Sequence, residues 1–264
     1  MAATCGTIGE LVMAFAPREL VAEWDNVGLL VGDPRAEVNR ALLALDVDQE
    51  VVDEALRLGA EMIIVHHPLM MKPVRSLRSD TPEGALLMRL VRERLNVFAA
   101  HTNLDAAAGG VSDVLARLLG LENVVHLTAE HGYGRVGDLR EPMTFAAFIA
   151  RLRAALGIQG LRAGGEKGRE IRRVAVCGGA GADFWPQALA ADADVFVTGD
   201  VKYHTARDML AAGLCFVDAG HYATERVVLE PLRAYLESAC RERGLDVVFL
   251  VSSCRQEPFT YFAG

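Results

Sequence analysis

The chain has 264 residues and a net charge of −8, from 27 Lys and Arg against 35 Asp and Glu. Hydrophobic residues make up 52% and charged residues 23%, a balance typical of a folded chain and not of a disordered one. The acidic charge disfavours nucleic-acid binding, because proteins that bind nucleic acids usually carry a basic surface. The apolar runs are shorter than the ~20 residues of a membrane helix, so we predict no membrane segment, no signal peptide and a cytoplasmic protein.

The first half of the chain alternates strand-like and helix-like segments. Residues 41–47, 62–65 and 96–100 form apolar runs that predict strands. Between the first two runs, apolar residues recur at helical spacing as far as Gly59, which is typical of a helix end. A second helix is predicted over residues 82–94. This β-α-β-α-β order is typical of a mostly parallel sheet covered by helices.

The same order of elements recurs later in the chain. Strands are predicted within residues 172–179, 193–200 and 214–221. Helices are predicted between them, over residues 184–193 and 204–213. The later segments therefore predict a second α/β unit.

Two offsets indicate that the two units are related. Ile63 falls on Val195 at an offset of 132 residues, and Val97 falls on Cys215 at an offset of 118. A longer loop in the first copy accounts for the difference. We therefore predict an α/β fold with two related units, whose mostly parallel or mixed sheets are covered by helices.

The limits of the two domains follow from this repeat. The first domain is predicted to comprise residues 1–128 and about 221–264, and the second domain residues 129–220. Residues 245–252 predict a final strand that closes the sheet of the first domain. The Gly-rich and charged stretch 157–170 is predicted to be a loop or a junction between units.

The five cysteines are widely spaced and contain no C-x-x-C pair. This spacing favours reduced thiols over a disulfide framework. Several of the cysteines lie in apolar runs, which indicates a role in core packing. The cysteines are Cys5, Cys177, Cys215, Cys240 and Cys254.

Histidines and carboxylates follow three of the predicted strands. His66 and His67 come after the strand at 62–65, residues 101–105 (HTNLD) come after the strand at 96–100, and residues 221–225 (HYATE) follow the last strand of the second unit. In open parallel sheets, ligands bind in the crevice at the carboxyl ends of the strands. We therefore expect these side chains to converge on one site.

These residue types suit a pair of metal ions. Neutral imidazole is the commonest metal ligand in proteins, and carboxylate oxygens combine with it around Zn, Mn and Fe. If the strand continues, His66 and His67 point in opposite directions, so each is expected to hold its own ion. Asp105 or Glu225 is then the bridging carboxylate, and His221 completes the ligand set. The alternative is that each histidine has only a structural role.

Two further segments have two interpretations each, and two aspartates have one interpretation each. Asp46, at the end of the first strand, is a candidate to orient a ligand histidine. Trp24 lies in the segment WDNVGLLVGD, which predicts either a loop that contacts substrate or a turn with a buried tryptophan. The CGGAG segment at 177–181 is either a phosphate-binding turn without the usual glycine spacing or a turn that faces the site. Asp200 is expected to line the site without binding metal.

Five segments carry a resemblance to a known family: WDNVGLLVGD, IIVHHPLMMKPVRSL, HTNLD, VTGD and GHYATE. In this order and over nearly the whole chain, they resemble the dinuclear-metal-centre hexameric proteins. This is the Ngg-one-interacting-factor-three-like group, whose members often carry the name GTP cyclohydrolase 1 type 2. The resemblance implies a homohexamer and, in each subunit, two divalent ions (Zn, Mn, Fe, Co or Ni) in a cleft between the two α/β units. By motif position, the implied metal ligands are His66, His67, Asp105, His221 and Glu225, with His101 in the pocket.

Three functions are compatible with this sequence. The first is a metal-dependent hydrolase that acts on a small, nucleotide-like molecule, with GTP cyclohydrolase activity implied by the resemblance only. The second is a phosphoester hydrolase with the same metal chemistry. The third is a non-enzymatic metal-binding or regulatory hexamer. For either hydrolase, water activated by the metals is the expected nucleophile, and His101 and Asp46 are the candidate pocket residues.

Overall fold

The computed structural model describes residues 2–255 and 257–260. These residues divide into two units: unit 1 comprises residues 2–104 and 229–255, and unit 2 comprises residues 105–228 and 257–260. In chain order, the strands are β1 (Gly28–Val31), β2 (Arg40–Ala44), β3 (Met62–Val65), β4 (Asn96–Ala99), β5 (Leu121–His126), β6 (Arg135–Thr144), β7 (Arg162–Gly164), β8 (Glu170–Val176), β9 (Val195–Thr198), β10 (Cys215–Asp218) and β11 (Val248–Val251).

The α-helices cover the sheets of the two units, and short 3-10 helices lie beside some of them. In chain order, the α-helices are α1 (Cys5–Phe15), α2 (Gln49–Leu58), α3 (Pro82–Arg92), α4 (Thr102–Ala106), α5 (Val111–Leu118), α6 (Phe145–Leu156), α7 (Trp185–Ala190), α8 (Tyr203–Ala211), α9 (His221–Glu225) and α10 (Leu229–Glu242). The 3-10 helices span Arg18–Leu20, Gly181–Phe184 and Arg226–Val228.

Over the described residues, unit 1 has a five-stranded sheet in the order β1-β4-β3-β2-β11. Strands β11, β2, β3 and β4 are parallel, and β1 pairs antiparallel with β4 at one edge. Every residue of β3 is buried, as expected of a central parallel strand with both faces covered. Helix α2 ends at Gly59 in a left-handed C-cap with a φ of 67°. The predicted strands, the predicted helix end and the closure of this sheet by the last strand are confirmed.

Unit 2 has a six-stranded sheet in the order β5-β6-β8-β9-β10-β7, counted over the described part of the chain. Strands β8, β9 and β10 are parallel, whereas β5, β6 and β7 pair antiparallel with their neighbours. Ile63 lies opposite Val97 in unit 1, and Val195 lies opposite Cys215 in unit 2. The residue pairs matched by the two sequence offsets therefore hold the same register. The predicted α/β class, with two mixed sheets covered by helices, is confirmed.

The limits of the units differ from the predicted domain limits. Residues 105–128 lie in unit 2 because β5 pairs with β6 and because α5 packs against β6 and β8. Residues 221–228 also lie in unit 2, where α9 and the 3-10 helix that follows it contact α5. Residues 256 and 261–264 of the predicted first domain lie outside the described residues.

The stretch 157–170, for which a loop or a junction is predicted, also contains a strand, β7. This strand pairs antiparallel with β10, where Arg162 lies opposite Asp218. The Arg162 guanidinium donates a hydrogen bond to the Asp218 carboxylate and another to the Val201 carbonyl at 3.1 Å. The strand is short and largely exposed, so its residues show no apolar periodicity that the sequence could reveal.

Cysteine burial agrees with the predicted packing role. All five cysteines are free thiols, and four of them, Cys5, Cys177, Cys215 and Cys240, are buried. Burial, together with the nearby charge of Asp33, raises the pKa of the Cys5 thiol to about 11, so that it stays protonated at neutral pH. None of the helices within residues 2–255 and 257–260 has the length and apolarity needed to cross a membrane.

The buried carboxylate of Glu54, on α2, fixes the segment that follows β11. Its oxygens accept hydrogen bonds from the hydroxyls of Ser252 and Ser253 and from the Ser253 amide at 3.1 Å. Burial on its own would raise the pKa of Glu54, but the hydrogen bonds from Ser252 and Ser253 outweigh burial and lower the pKa to about 2. The carboxylate is therefore ionised in the folded state.

Glu54→Gln is expected to destabilise the protein by about 2 kcal/mol at pH 7, because charge-assisted hydrogen bonds become neutral ones. The folded pKa lies below the usual value. The contribution of Glu54 is therefore complete above about pH 5 and is lost as the pH falls toward 2. Denaturant unfolding between pH 7 and pH 3 measures the effect, with Glu50→Gln on the exposed first turn of α2 as the control. A difference between Glu54→Gln and the parent protein that does not shrink on acidification would contradict this assignment.

Candidate metal centre

Three histidines of unit 1 lie together at the carboxyl edge of its sheet. His66 and His67 follow β3, and His101 follows β4, which is the parallel neighbour of β3. One ring nitrogen from each histidine lies within 4.8 Å of those of the other two. His66 is buried, whereas His67 and His101 are partly exposed. Adjacent parallel strands thus deliver three imidazoles to one place.

The rings of His66 and His67 do not point in opposite directions, as a continued strand would require. Strand β3 ends at Val65, and the backbone then turns so that the amides of His66 and His67 both donate to the Leu45 carbonyl, at 3.1 and 2.8 Å. The two ring centroids lie 4.9 Å apart. The opposite directions expected for the two side chains depended on a continued strand, and side-chain alternation stops where the strand stops.

A hydrogen bond to the Ala100 carbonyl determines which ring nitrogen of His66 carries the proton. Its Nδ1 lies 2.9 Å from the backbone carbonyl oxygen of Ala100. Because a carbonyl only accepts hydrogen bonds, Nδ1 must carry the proton, and in the neutral ring Nε2 then has the lone pair. A ring held in this tautomer is suited to bind a metal ion through Nε2.

The rings of His67 and His101 are each hydrogen-bonded to a carboxylate through Nδ1. Asp46 Oδ1 lies 2.9 Å from Nδ1 of His67, and Asp25 Oδ1 lies 2.9 Å from Nδ1 of His101. Such carboxylate–histidine pairs set both the tautomer and the orientation of a ligand ring in metal sites. Asp46 therefore contacts one of the two histidines that follow β3.

Asp25 has a role that the sequence did not predict. Besides His101, its carboxylate accepts hydrogen bonds from the hydroxyl and the amide of Thr102, the latter at 3.0 Å. Burial on its own would raise the pKa of Asp25, but the hydrogen bonds from His101 and Thr102 lower it to about 2. The charged carboxylate thus fixes the start of α4 and the His101 ring together. Asp25 lies in the segment WDN that the sequence singled out, but nothing in that segment indicates that His101 and Thr102 are its partners.

Unit 2 carries a histidine and a carboxylate on one short helix. His221 and Glu225 begin and end α9, and their spacing of four residues puts both side chains on one face. Nε2 of His221 lies 3.1 Å from Oε2 of the buried Glu225, and its Nδ1 lies 2.8 Å from Oδ2 of Asp200. A carboxylate oxygen of Asp105 lies within 4.8 Å of one from Glu225.

The backbone of Asp200 is in a conformation that few residues adopt. Its φ is 54°, in the left-handed region, where residues other than glycine are uncommon. Asp is among the residues that tolerate this region, and strain of this kind often accompanies functional sites. The conformation presents the Asp200 carboxylate to His221.

The CGGAG segment makes room for Glu225 and does not bind phosphate through its second glycine. The amide of Gly179 donates to the Thr224 hydroxyl at 3.0 Å, and its carbonyl accepts from the Gly199 amide at 2.8 Å. A Cβ on Gly179 would lie only 1.9 Å from Oε1 of Glu225. Of the two interpretations of residues 177–181, the structure favours the glycine turn that faces the site.

The donors in the two units are imidazole nitrogens and carboxylate oxygens. Such groups suit Zn, Mn, Fe, Co or Ni. Cys177 lies nearby, but burial, and then the charges of Asp105 and Glu225, raise its pKa far above the usual range, so it stays a neutral thiol. The structure therefore offers His and carboxylate groups that can hold a metal ion.

Comparisons with known proteins agree with the fold and with the motifs. A family model described as Duf34/NIF3 (NGG1p interacting factor 3) matches residues 3–258. A Lactococcus lactis protein named GTP cyclohydrolase 1 type 2 homolog is 39% identical over 227 residues, which cover 84% of this chain and 88% of that protein. A Clostridium perfringens protein of the same name is 35% identical over 260 residues, which cover 95% of this chain and 97% of that protein.

A solved structure extends the likeness to three dimensions. The crystal structure of a Bacillus cereus protein related to NIF3 matches with a TM-score of 0.95 and 28% sequence identity, over 99% of both chains. This chain is therefore similar to these proteins over nearly all of its length, in sequence and in fold.

Proposed function

This chain belongs to the Duf34/NIF3 family, and from that premise we propose that it is a dinuclear-metal-dependent hydrolase of a nucleotide-like small molecule. One observation carries the proposal: oxygen acceptors hold the histidines of both units at Nδ1, including a carboxylate at His67 and one at His221. Histidines that bind metal through Nε2 are held in this way. Histidines with only a structural role would not require a carboxylate acceptor at each of several strand ends.

The proposed ligands of the two ions are the residues matched by motif position. Imidazole nitrogens and carboxylate oxygens make a donor set of the type found in dinuclear hydrolases. When bound, two divalent ions acidify water and neutralise negative charge that develops on the substrate. The ligands are His66, His67, Asp105, His221 and Glu225.

Residues beside these ligands position them and the substrate. Asp46 holds the His67 ring, and Asp200 holds the His221 ring, so that neither ring rotates when substrate binds. His101 is held at Nδ1 by Asp25, which leaves its Nε2 to form a hydrogen bond with a polar group of the substrate.

The names of the relatives support the choice of substrate. Proteins from Lactococcus lactis and Clostridium perfringens carry the name GTP cyclohydrolase 1 type 2 homolog. We therefore take hydrolytic opening of the purine ring of GTP as the first reaction to test. A cytoplasmic location, supported by the five free thiols, and a homohexameric assembly, supported by the family resemblance, complete the proposal.

Metal content and turnover together test this function. Elemental analysis of freshly purified protein should give about two metal ions per subunit, and the metal-replete protein should turn over GTP. The double variant His67→Ala, Glu225→Ala should lose both metal and turnover. A matched control removes the His131 and Glu130 pair, whose side chains lie 3.6 Å apart on an exposed turn of unit 2.

The outcomes separate the candidate functions. Turnover that persists in the His67→Ala, Glu225→Ala variant would contradict a metal-dependent hydrolase. Turnover of generic phosphoesters but not of GTP would identify a phosphoester hydrolase. Tight metal binding at two ions per subunit, with no turnover of either substrate class, would overturn the hydrolase and favour a metal-binding or regulatory hexamer.

A further inference from the structure

We propose that Trp24 is a stacking platform for the planar ring of the nucleotide bound at the candidate metal centre. The inference rests on the proposed function, and it assigns the part of the site that recognises the ligand and not the part that reacts with it. It also decides between the two interpretations of the WDNVGLLVGD segment: Trp24 is 65% exposed, so the segment is not a turn with a buried tryptophan.

Exposure alone would not single out Trp24, because isolated apolar side chains are common on protein surfaces. The difference lies in how firmly its loop is held. The buried carboxylate of the next residue, Asp25, bonds to the Thr102 amide, and the Thr102 hydroxyl accepts a hydrogen bond from the Ala22 amide at 3.0 Å. On the other side, the Asn26 side chain donates to the Met70 carbonyl. The backbone on both sides of Trp24 is therefore fixed.

An exposed aromatic ring on a fixed backbone is suited to binding. The entropy cost of ordering this backbone is met in the folded protein, so that it does not offset contact with a ligand at the moment of binding. Tryptophan offers a large flat surface, and stacking of a nucleobase on an aromatic ring is sequence-tolerant because every base has such a face.

The position of the ring points to the metal centre. The Trp24 ring stands edge-on to the His101 ring, with centroids 6.1 Å apart and an interplanar angle of 80°. The His101 ring in turn lies 5.2 Å from that of His66 and 5.6 Å from that of His67. Only the His101 ring therefore separates a base stacked on Trp24 from the proposed ligands His66 and His67. One nucleotide is long enough to span this separation.

A basic residue lies on the loop that is bonded to the Trp24 loop. Lys72 is exposed, and it is two residues beyond Met70, whose carbonyl Asn26 holds. Its Cα is therefore within about 8 Å of the Met70 Cα. An ammonium group on a flexible stem in this place can bind a phosphate, which favours a nucleotide over an uncharged aromatic compound as the ligand.

Direct binding tests the platform without turnover. The chain contains two tryptophans, so Trp185→Phe leaves Trp24 as the sole tryptophan, whose fluorescence is excited selectively at wavelengths that tyrosine does not absorb. GTP and guanosine should then quench its fluorescence in the metal-replete protein. By equilibrium dialysis, Trp24→Ala should bind both probes about 10- to 100-fold more weakly, whereas Trp24→Phe should retain most of the affinity. Phe259→Ala removes an exposed ring elsewhere and should change nothing. Lys72→Ala should weaken the binding of GTP but not of guanosine.

Metal content and molar mass, measured on each variant, separate the failure of this inference from that of the proposed function. If Trp24→Ala keeps its metal and binds GTP as tightly as the parent protein, the platform is wrong and the hydrolase stands. If Trp24→Ala changes the assembly by light scattering but not the affinity for GTP, the ring belongs to a subunit contact and the platform is also wrong. If the metal-replete parent binds neither probe, the nucleotide substrate itself is wrong. If the probes bind at Trp24 without turnover, the platform stands and the hydrolase does not.

Discussion

Gly179→Ala is expected to weaken metal binding about 100-fold or more while unit 2 stays folded. A Cβ at this position would lie 1.9 Å from Oε1 of Glu225 and 3.3 Å from Nε2 of His221. Non-bonded carbon and oxygen atoms do not approach so closely, so the Glu225 carboxylate must move by about 1 Å or more. Misplacement of a functional group by about 1 Å can cost 100-fold in function, and a metal ion is as demanding of its ligands.

Backbone strain has to be separated from displacement of Glu225. Gly179 has a φ of 60°, so alanine is strained there even without a clash, by about 1 kcal/mol. Gly213 supplies the matched control, because its φ is 79° and no heavy atom lies within 4 Å of its would-be Cβ. Gly213→Ala should lose stability but keep its metal. Competition titration with a chelating indicator measures the affinity, and Gly179→Ala with the affinity of the parent protein would contradict this account of the glycine turn.

Much of the fold could be predicted from residues that are close in sequence. The run MIIV at 62–65 has no polar residue and is short, which predicts a buried strand, and the structure has β3 there. The repeat was also detectable, because Ile63 and Val97 match Val195 and Cys215 and take the same register. Hydrophobic patterning is a local property, so a single sequence can reveal it.

The rest depends on contacts between residues that are distant in sequence. Asp25 and His101 are 76 residues apart, and Gly179 and Thr224 are 45 residues apart, so no motif contains both partners. The predicted limit between the units differed from the observed one for the same reason. Strand β5 belongs to unit 2 because it pairs with β6, and the composition of β5 does not reveal that pairing. The opposite orientation predicted for His66 and His67 failed because the end of β3 depends on its neighbouring strands.

Asp46→Asn and Asp200→Asn are each expected to lower metal affinity about 10- to 100-fold. The two carboxylates accept hydrogen bonds at Nδ1 of His67 and of His221, at 2.9 and 2.8 Å, which leaves the lone pair on Nε2. An asparagine can instead turn its amide NH₂ toward Nδ1. The proton of the neutral ring would then sit on Nε2, the atom that is needed for the metal.

Asp25→Asn is the matched control, because it makes the same change beside His101, which is not one of the five proposed ligands. It should therefore retain the metal affinity of the parent protein, as measured by the same chelator titration. Affinity unchanged in both Asp46→Asn and Asp200→Asn would mean that the carboxylates hold structural histidines and do not support metal ligands. Because Asp25 also fixes the start of α4, which carries Asp105, loss of metal in both Asp25→Asn and His101→Ala would be needed to make His101 a ligand. The five residues matched by motif position would then be an incomplete set, because in unit 1 three imidazoles, and not two, lie within reach of one ion.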